Sequence, residues 1–546
     1  MKKSKFRYVN VQVEKDLRKI KVLETPTLLK RLYLNKEISL DYYTKAVDTY
    51  YNNIAFKYKE RSQKAIDFSE HKKEKRQLRD YQKTIVDYGS TFKSFAIFDE
   101  PRLGKTPAIL KLIEKKELLN KKIYIAAPGK VTENWVKEIE DWLGLKAQIY
   151  KGGIIKEDTK ILVSTYNRVS ISLKDILKWK PKTFILDEAH VLKNSKGVLQ
   201  RLTKRQKERR DKTGILPINQ SILKLAQAVE HRYPLTGTPT VNSPEDIFAI
   251  LQLLMPNTYT SYWSFVYYYF NVKFNFMGGR EVGEYKNEEK RLEIQELLDY
   301  CSTQHKQKDQ MKWLKQPTIT KEYIELNKEQ KELEIDLIDN ASIGETLILD
   351  ALEQVTAYIT LVTNPKTLKY IKTNNIGAKN KYILNELERQ PMKNIGIFSA
   401  RKQNIEVLKK IIDEKFPDRK TFILTGGSKN EDAIKIQKEV NKKNKQKGII
   451  FLGTIGASKE GISLQGLSKA YVTDQYWIPG DMTQLFNRLN ATTPENQEYF
   501  GEKEIVILHT PNTIDDIIQE TLDHKKSITS MINDYKKFIE KRKGER

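Results

Sequence analysis

An α/β fold in two lobes, each a parallel sheet covered by helices, is the class that this 546-residue sequence predicts. Three observations predict it. Nearly continuous apolar runs of strand length alternate with helical stretches in two separate blocks of the chain, the pattern of strands buried on both faces. The motifs DEPRLGKT (Asp99–Thr106), LDEAH (Leu186–His190) and LTGTP (Leu235–Pro239) follow one another in that order within the first block. Each begins at the carboxyl end of an apolar run, where open parallel sheets bind their ligands.

Taken in order, residues 1–76 carry no nucleotide signal. Leu40–Ala55 has apolar and aromatic residues at helical spacing after Ser39, a candidate N-cap. The region is expected to be a small basic helical module, and a place where a recruiting protein could dock. Its tyrosines, Tyr42, Tyr43, Tyr50 and Tyr51, either stack on bases or pack into a core, and packing is the commoner use of such a stripe.

Residues 77–255 are expected to form the first lobe, with strands in SFAIFD (Ser94–Asp99), KIYIAAP (Lys122–Pro128), KILVSTY (Lys160–Tyr166) and TFILDE (Thr183–Glu188). A loop ending Gly104-Lys105-Thr106 turns backbone N–H groups and an ammonium toward phosphates, and places a hydroxyl where Mg²⁺ would sit. The acidic pair Asp187–Glu188, at the end of an apolar run, supplies a metal ligand and a base.

Residues 256–375 change character. Aromatics crowd Tyr259–Phe276, and GGREVGEYKN (Gly278–Asn287) and long charged helical stretches follow. This reads as a helical linker or protrusion. Residues 376–546 resume the α/β pattern in NIGIFSA (Asn394–Ala400), TFILTGG (Thr421–Gly427), GIIFLGT (Gly448–Thr454), AYVTDQYW (Ala470–Trp477) and EIVILHT (Glu504–Thr510), ending in a basic tail.

Composition narrows the function. With 39% hydrophobic and 31% charged residues, and no apolar run of membrane-spanning length, nothing reads as a membrane segment. Cys301 is the sole cysteine, so no internal disulfide can form, which fits a reducing, cytoplasmic setting. The formal charge of +26 favours a polyanionic partner, nucleic acid first. Solubility or a Lys-rich genome would give the same surplus.

These stretches, with LRDYQ (Leu78–Gln82), IAAPGKVTENWVKEIEDW (Ile125–Trp142), STY (Ser164–Tyr166), EGISL (Glu460–Leu464) and DQYWIPGDMTQLFNR (Asp474–Arg488), resemble the Swi/Snf group of helicase-like ATPases in helicase superfamily two, over about residues 77–530. The resemblance implies two tandem RecA-like lobes with ATP and Mg²⁺ in the cleft between them. It implies that Gln82 reads adenine and that Leu103, Gly104, Lys105 and Thr106 hold phosphates, with Thr106 and Asp187 on the metal. Glu188 would orient the attacking water, and His190, Thr236 and Thr238 would couple nucleotide state to lobe movement. Gly461, Gln484 and Arg488 would complete the site from the second lobe.

Two departures stand out. Where the family has Gly the chain has Arg102, preceded by Pro101, which removes a backbone donor and is expected to narrow the anion cradle. Where the family has a second arginine the chain has Ala491, and no Lys or Arg occupies residues 489–500. Arginine fingers contribute roughly 10³–10⁵ in rate. Either Arg488 suffices, or a basic residue from elsewhere fills in, or turnover is poor; slow but real hydrolysis is the expectation.

By position in the family, Pro128, Thr165, Ser399, Arg401, Thr425 and Thr454 are expected to lie on the phosphate backbone of DNA, without a base code. Lys193–Lys212 holds nine basic residues against Glu208 and Asp211. It reads as a basic arm beside the DNA, through Arg201, Lys204 and Arg205 among others, or as a solvated helix. The function expected is a monomeric translocase on duplex or branched DNA. A strand-separating helicase, with a wedge from residues 256–330, and an ATP-gated DNA-binding scaffold with weak hydrolysis are the alternatives.

Overall fold

The structure is a computed structural model and describes residues 25–35, 37–58, 77–198, 202–237, 239, 244–274, 279–443, 448–459, 461–476, 479–523 and 528–544. The chain divides into two compact units, Met1–Gln310 and Met311–Arg546. Among the described residues no helix is long and apolar enough to cross a membrane.

The first unit is built on parallel strands: β1 (Ala96–Ile97), β2 (Ile123–Ala127), β3 (Gln148–Ile149), β4 (Ile161–Thr165), β5 (Thr183–Leu186) and β6 (His231–Pro234). The sheet runs β3-β4-β2-β5-β6. Bridges from Ser94 to Arg232 and from Ile97 to Leu235 set β1 beside β6. The strands are short and almost wholly apolar because helices cover them; every residue of β2 is buried. A hairpin, β7 (Phe270–Phe274) and β8 (Arg280–Tyr285), and a short strand, β9 (Ser302–Thr303), come next, and β9 pairs in parallel with β1.

In the second unit, β10 (Thr318–Tyr323), β13 (Ile395–Ser399), β14 (Thr421–Leu424), β15 (Ile450–Thr454), β16 (Lys469–Val472) and β17 (Glu504–His509) form one parallel sheet in the order β10-β17-β16-β13-β15-β14. A two-strand hairpin, β11 (Ser342–Ile343) and β12 (Thr346–Leu347), stands apart. Alternate residues feed opposite faces: Phe398, Phe451, Val472, Ile505 and Ile507 share one core cluster, while Ile397, Ile450, Leu452, Tyr471, Val506 and Leu508 share another. That period of two is what a doubly covered strand requires. The two-lobed α/β fold expected from the sequence is the fold the chain adopts.

Two regions differ from expectation. The stretch 256–375 is divided between the units: β9 joins the first sheet, and β10 runs along β17 for six residues, from Thr318 beside Glu504 to Tyr323 beside His509. β10 (TITKEY) is almost wholly exposed; as a polar edge strand it carries no apolar run to announce it. The N-terminal helices, Pro26–Leu34 and Leu40–Tyr58, are built into the first unit. Leu28 and Leu32 share a core with Ile250, Leu254, Phe265 and Leu297, and Thr27 donates from its N–H and its hydroxyl to Glu296, at 2.9 and 2.8 Å. The tyrosine stripe splits. Tyr50 is buried and stacked on Tyr300 at 5.9 Å, and Tyr43 stacks on Tyr33 at 5.4 Å, while Tyr42 and Tyr51 face solvent.

Candidate functional site

The phosphate loop leaves β1 at Asp99 and turns into the helix Lys105–Lys115 at Gly104, whose φ is +73°. Arg102, with φ +66°, is left-handed too. Where the family has glycine, a side chain therefore occupies a conformation that costs roughly 1–3 kcal/mol. Lys105 Nζ bridges two carbonyls of its own loop, Asp99 O at 2.9 Å and Glu100 O at 3.3 Å. Leu103 is fully buried and contributes its carbonyl, which accepts from Tyr81 Oη at 2.7 Å and Gln82 Nε2 at 3.0 Å.

Gln82 is tied to the loop. Its Nε2 donates to Leu103 O and Gly104 O, both at 3.0 Å, and its Oε1 accepts from Arg79 N at 2.8 Å. Both amide hydrogens are engaged by the loop, so Gln82 fixes the loop in this structure. A Cβ on Gly104 would come within 2.3 Å of that nitrogen, so glycine is needed there for space as well as for φ.

The opposite side of the loop is held by residues that sequence reasoning missed. His305 donates from its N–H to Asp99 Oδ1 at 3.1 Å, and its Nδ1 lies 3.0 Å from Asp99 Oδ2; Asp99 is fully buried. Gln307 N donates to Glu100 Oε2 at 2.7 Å, and its side-chain amide to Pro101 O at 2.6 Å. The available signal was QHKQKDQ beginning at Gln304, polar residues inside a region assigned to a linker.

Asp187 and Glu188 leave the end of β5, two strands from the phosphate loop. Asp187 Oδ2 accepts from Trp135 Nε1 at 2.8 Å, and its Oδ1 accepts from Glu188 N at 3.0 Å. Burial, then the neighbouring Glu188 carboxylate, push its carboxyl up to about 6, against the Trp135 hydrogen bond and the charge of Lys105. Glu188 is left-handed, at φ +46°. His190 Nδ1 lies 3.1 Å from Glu188 Oε2 and 3.2 Å from Thr236 Oγ1. The structure thus brings LDEAH and LTGTP together through one ring nitrogen. Thr238 lies outside the described residues.

In the second unit, Arg488 ends the helix Pro479–Leu489 and its Nε donates to Lys459 O at 2.7 Å; Leu464 N donates to Arg488 O at 2.8 Å. Exposed Gly461, at φ +72°, lies in the same connection, so the arginine and the EGISL segment are adjacent. Gln484 is buried. Ala491 is only 2% exposed, and Gln465 Oε1 accepts from both the N–H and the hydroxyl of the next residue, Thr492, at 3.1 Å each.

The residues expected on DNA fall into two groups. Pro128, Ser399, Thr425 and Thr454 are buried. The Ser399 hydroxyl is bonded to Asp474 Oδ1; it belongs to an internal network, and any phosphate contact there would fall to backbone amides. Thr165 and Arg401 are partly exposed, Thr165 capping the helix Tyr166–Ile171 and burial pulling the Arg401 guanidinium down against the opposing charge of Asp474. Lys204 and Arg205 are exposed on the helix Lys204–Thr213, which buries none of its residues. Arg201 lies outside the described residues.

A family model described as the SNF2-related domain matches residues 51–211 and 217–377, more than half of the chain. The chain is 21% identical over 481 residues to "DNA annealing helicase and endonuclease ZRANB3" of Homo sapiens, covering 82% of this chain and 40% of that protein. It is 25% identical over 206 residues to "ATP-dependent helicase FUN30" of Saccharomyces cerevisiae, covering 34% of this chain and 16% of that one. The chain spans two fifths or less of the length of these relatives. Among solved structures it is similar to "Sulfolobus solfataricus SWI2/SNF2 ATPase core in complex with dsDNA", with TM-score 0.38 and 20% identity over 82% of this chain and 91% of that one. Matched across more than half its length by that family model, the chain belongs to the SNF2-related family of helicase-like ATPases.

Proposed function

We propose that this chain is a DNA-dependent ATPase that couples ATP hydrolysis to movement along duplex or branched DNA, remodelling DNA or protein–DNA complexes. The observation that carries this reading is the juxtaposition in one unit of the Lys105 loop with a carboxylate, Asp187, raised to about 6 by burial and by Glu188. Two crowded carboxylates facing a lysine gain from a divalent cation, so the residues fit Mg²⁺, which Thr106 and Asp187 would hold. Such an ion offsets charge on the phosphates.

The protein's own groups do the rest. Loop amides and Lys105 bind the phosphates. Glu188, held on a left-handed backbone, orients water. His190 carries the state of Glu188 to Thr236, and so to the end of β6 and, through Thr236 N donating to Ile97 O at 3.0 Å, to β1. DNA binding is expected to be sequence-independent and steeply salt-dependent, which the charge of +26 favours. The working protein is proposed to be a cytoplasmic monomer.

A second reading, an ATP-gated DNA-binding scaffold with weak hydrolysis, is favoured by one feature: the enclosed Ala491 leaves no side chain where the family has its second arginine. Phosphate release with and without duplex DNA, from wild type, Lys105→Ala and Glu188→Gln, separates the two. The motor reading expects DNA stimulation that each substitution lowers roughly 10²–10³-fold. ATP-dependent DNA binding without phosphate release would instead support the scaffold.

A further inference from the structure

The β7–β8 hairpin takes no part in any motif used so far. Its last described pair sets Phe274 opposite Arg280, both exposed, Phe274 to 67%. Arg280 turns back over the helix Tyr262–Tyr269, its guanidinium carbon 4.7 Å from the Trp263 ring centroid and 5.8 Å from that of Tyr267. From a distant part of the chain, Lys196 Nζ comes to 5.3 Å from Trp263 and 5.6 Å from Tyr262. Acidic groups nearby are Glu281, paired across the hairpin with Lys273, and Glu245 and Asp246 beside Tyr262.

Two cations held on one aromatic platform are pre-positioned rather than swinging freely in solvent, and an open phenyl ring stands next to them. Fixed cations suit phosphate oxygens, and a bare ring suits the face of a base. A duplex hides its base faces except at its ends, so Phe274 can stack only where bases are unpaired. Phe274 has no hydrogen-bonding group and Trp263 only a single indole N–H, too little to read a base edge, so the recognition is sequence-tolerant.

We propose that Phe274, Arg280 and Trp263, with Lys196 from the basic stretch Lys193–Lys212, form a surface for an unpaired nucleic-acid strand. This goes beyond the translocase reading and does not require it. The test is fluorescence anisotropy with labelled dT20, U20 and a blunt 20-base-pair duplex, on wild type, Phe274→Ala, Arg280→Glu and Trp263→Phe. Phe274→Ala should weaken dT20 or U20 binding roughly 5–100-fold and leave duplex affinity within twofold. Arg280→Glu should weaken single-strand binding and reduce its salt slope by about 1. Trp263→Phe should keep most of the affinity but abolish the tryptophan-emission change that a single strand produces. Adding dU20, which differs from U20 only in lacking the 2′-hydroxyl, assigns the sugar. Equal losses for duplex and single strand, unchanged single-strand affinity in both exposed variants, or no single-strand binding by wild type would overturn the proposal. Duplex-stimulated phosphate release in the same samples keeps the two readings apart: its absence sinks the motor and leaves this surface standing.

Discussion

At the end of β5 in the first unit, Asp187 is a half-buried residue whose carboxyl is raised by burial and by Glu188 and faces the charge of Lys105, with a strained Glu188 beside it. Just past the end of β16 in the second unit, Asp474 is 1% exposed and fully engaged: Oδ1 accepts from the hydroxyls of Ser399 and Thr473, and Oδ2 accepts from Ala400 N at 3.1 Å. Asn404 extends that closed network, donating to Ser399 Oγ at 3.3 Å and Thr473 Oγ1 at 3.2 Å. The two sheets are both parallel and both covered by helices, yet of these two aspartates only Asp187 is crowded by a second carboxylate, which leaves its chemistry unfinished. Unfinished chemistry is what a ligand can complete; a closed network holds the scaffold in shape.

Exchanging the two aspartates' fates is the most forceful way to break this contrast. Asp474→Ala takes the acceptor from the Ser399 hydroxyl and from the partly buried Ala400 N–H and leaves Thr473 with Phe398 O at 3.2 Å, and should destabilise the second unit by roughly 2–4 kcal/mol in urea titration. Asp187→Asn should do the reverse in the absence of nucleotide and metal. Its folded carboxyl lies above the unfolded value, so the charged form opposes folding at neutral pH. The variant's urea midpoint should therefore hold or rise while hydrolysis disappears. Loss of stability in both would mean that the first site is scaffold too.

A smaller effect sharpens the contrast inside the first unit. If His305 and Gln307 act as a clamp on the phosphate loop, His305→Ala should raise KM for ATP about tenfold with kcat within twofold, because one buried acceptor of Asp99 loses its partner. His305→Asn restores a donor near the Nδ1 position and should recover most of the affinity. Equal falls in kcat and folded fraction, unrescued by Asn, would reduce His305 to a packing residue.

Both sheets were legible in the sequence because doubly covered parallel strands are written as apolar runs, and the acid and phosphate motifs sit at their ends. What escaped was polar by nature. β10 is an exposed edge strand, and the clamp at His305 reaches Asp99 across 206 positions of sequence, a distance no local pattern encodes. Gln82 and Ser399 lay at the right places in the chain, but their chemistry depends on neighbours. The Gln82 amide is saturated by Leu103 and Gly104, and the Ser399 hydroxyl by Asp474. Residue type and spacing predict where a side chain lies, not whether its hydrogen bonds are already spent.

Lys503 gives the mildest test, and it bears on the missing arginine. Its ammonium is 4% exposed and donates to Gln465 O at 2.7 Å and Phe500 O at 3.0 Å, and burial lowers its pKa from 10.5 to about 8. A cation whose folded pKa lies below its unfolded one opposes folding while charged. Between about pH 8 and 10.5 the unfolded chain binds the extra proton, so stability rises with pH across that window and is flat below it. The gain is about 3 kcal/mol at most. Urea midpoints at pH 7.5, 8.5 and 9.5 should climb for wild type and climb less for Lys503→Met, the remainder coming from the partly buried Lys116 and Lys290. If the two slopes differ in that way, the basic residue nearest in sequence after Ala491 is an internal post that holds Gln465, and through Gln465 the turn at Thr492. It is then not a stand-in for the arginine, and Arg488 is left to act alone on this side. If the two slopes are equal, the ammonium is hydrated, and Lys503 returns as the candidate to fill the position that Ala491 leaves empty.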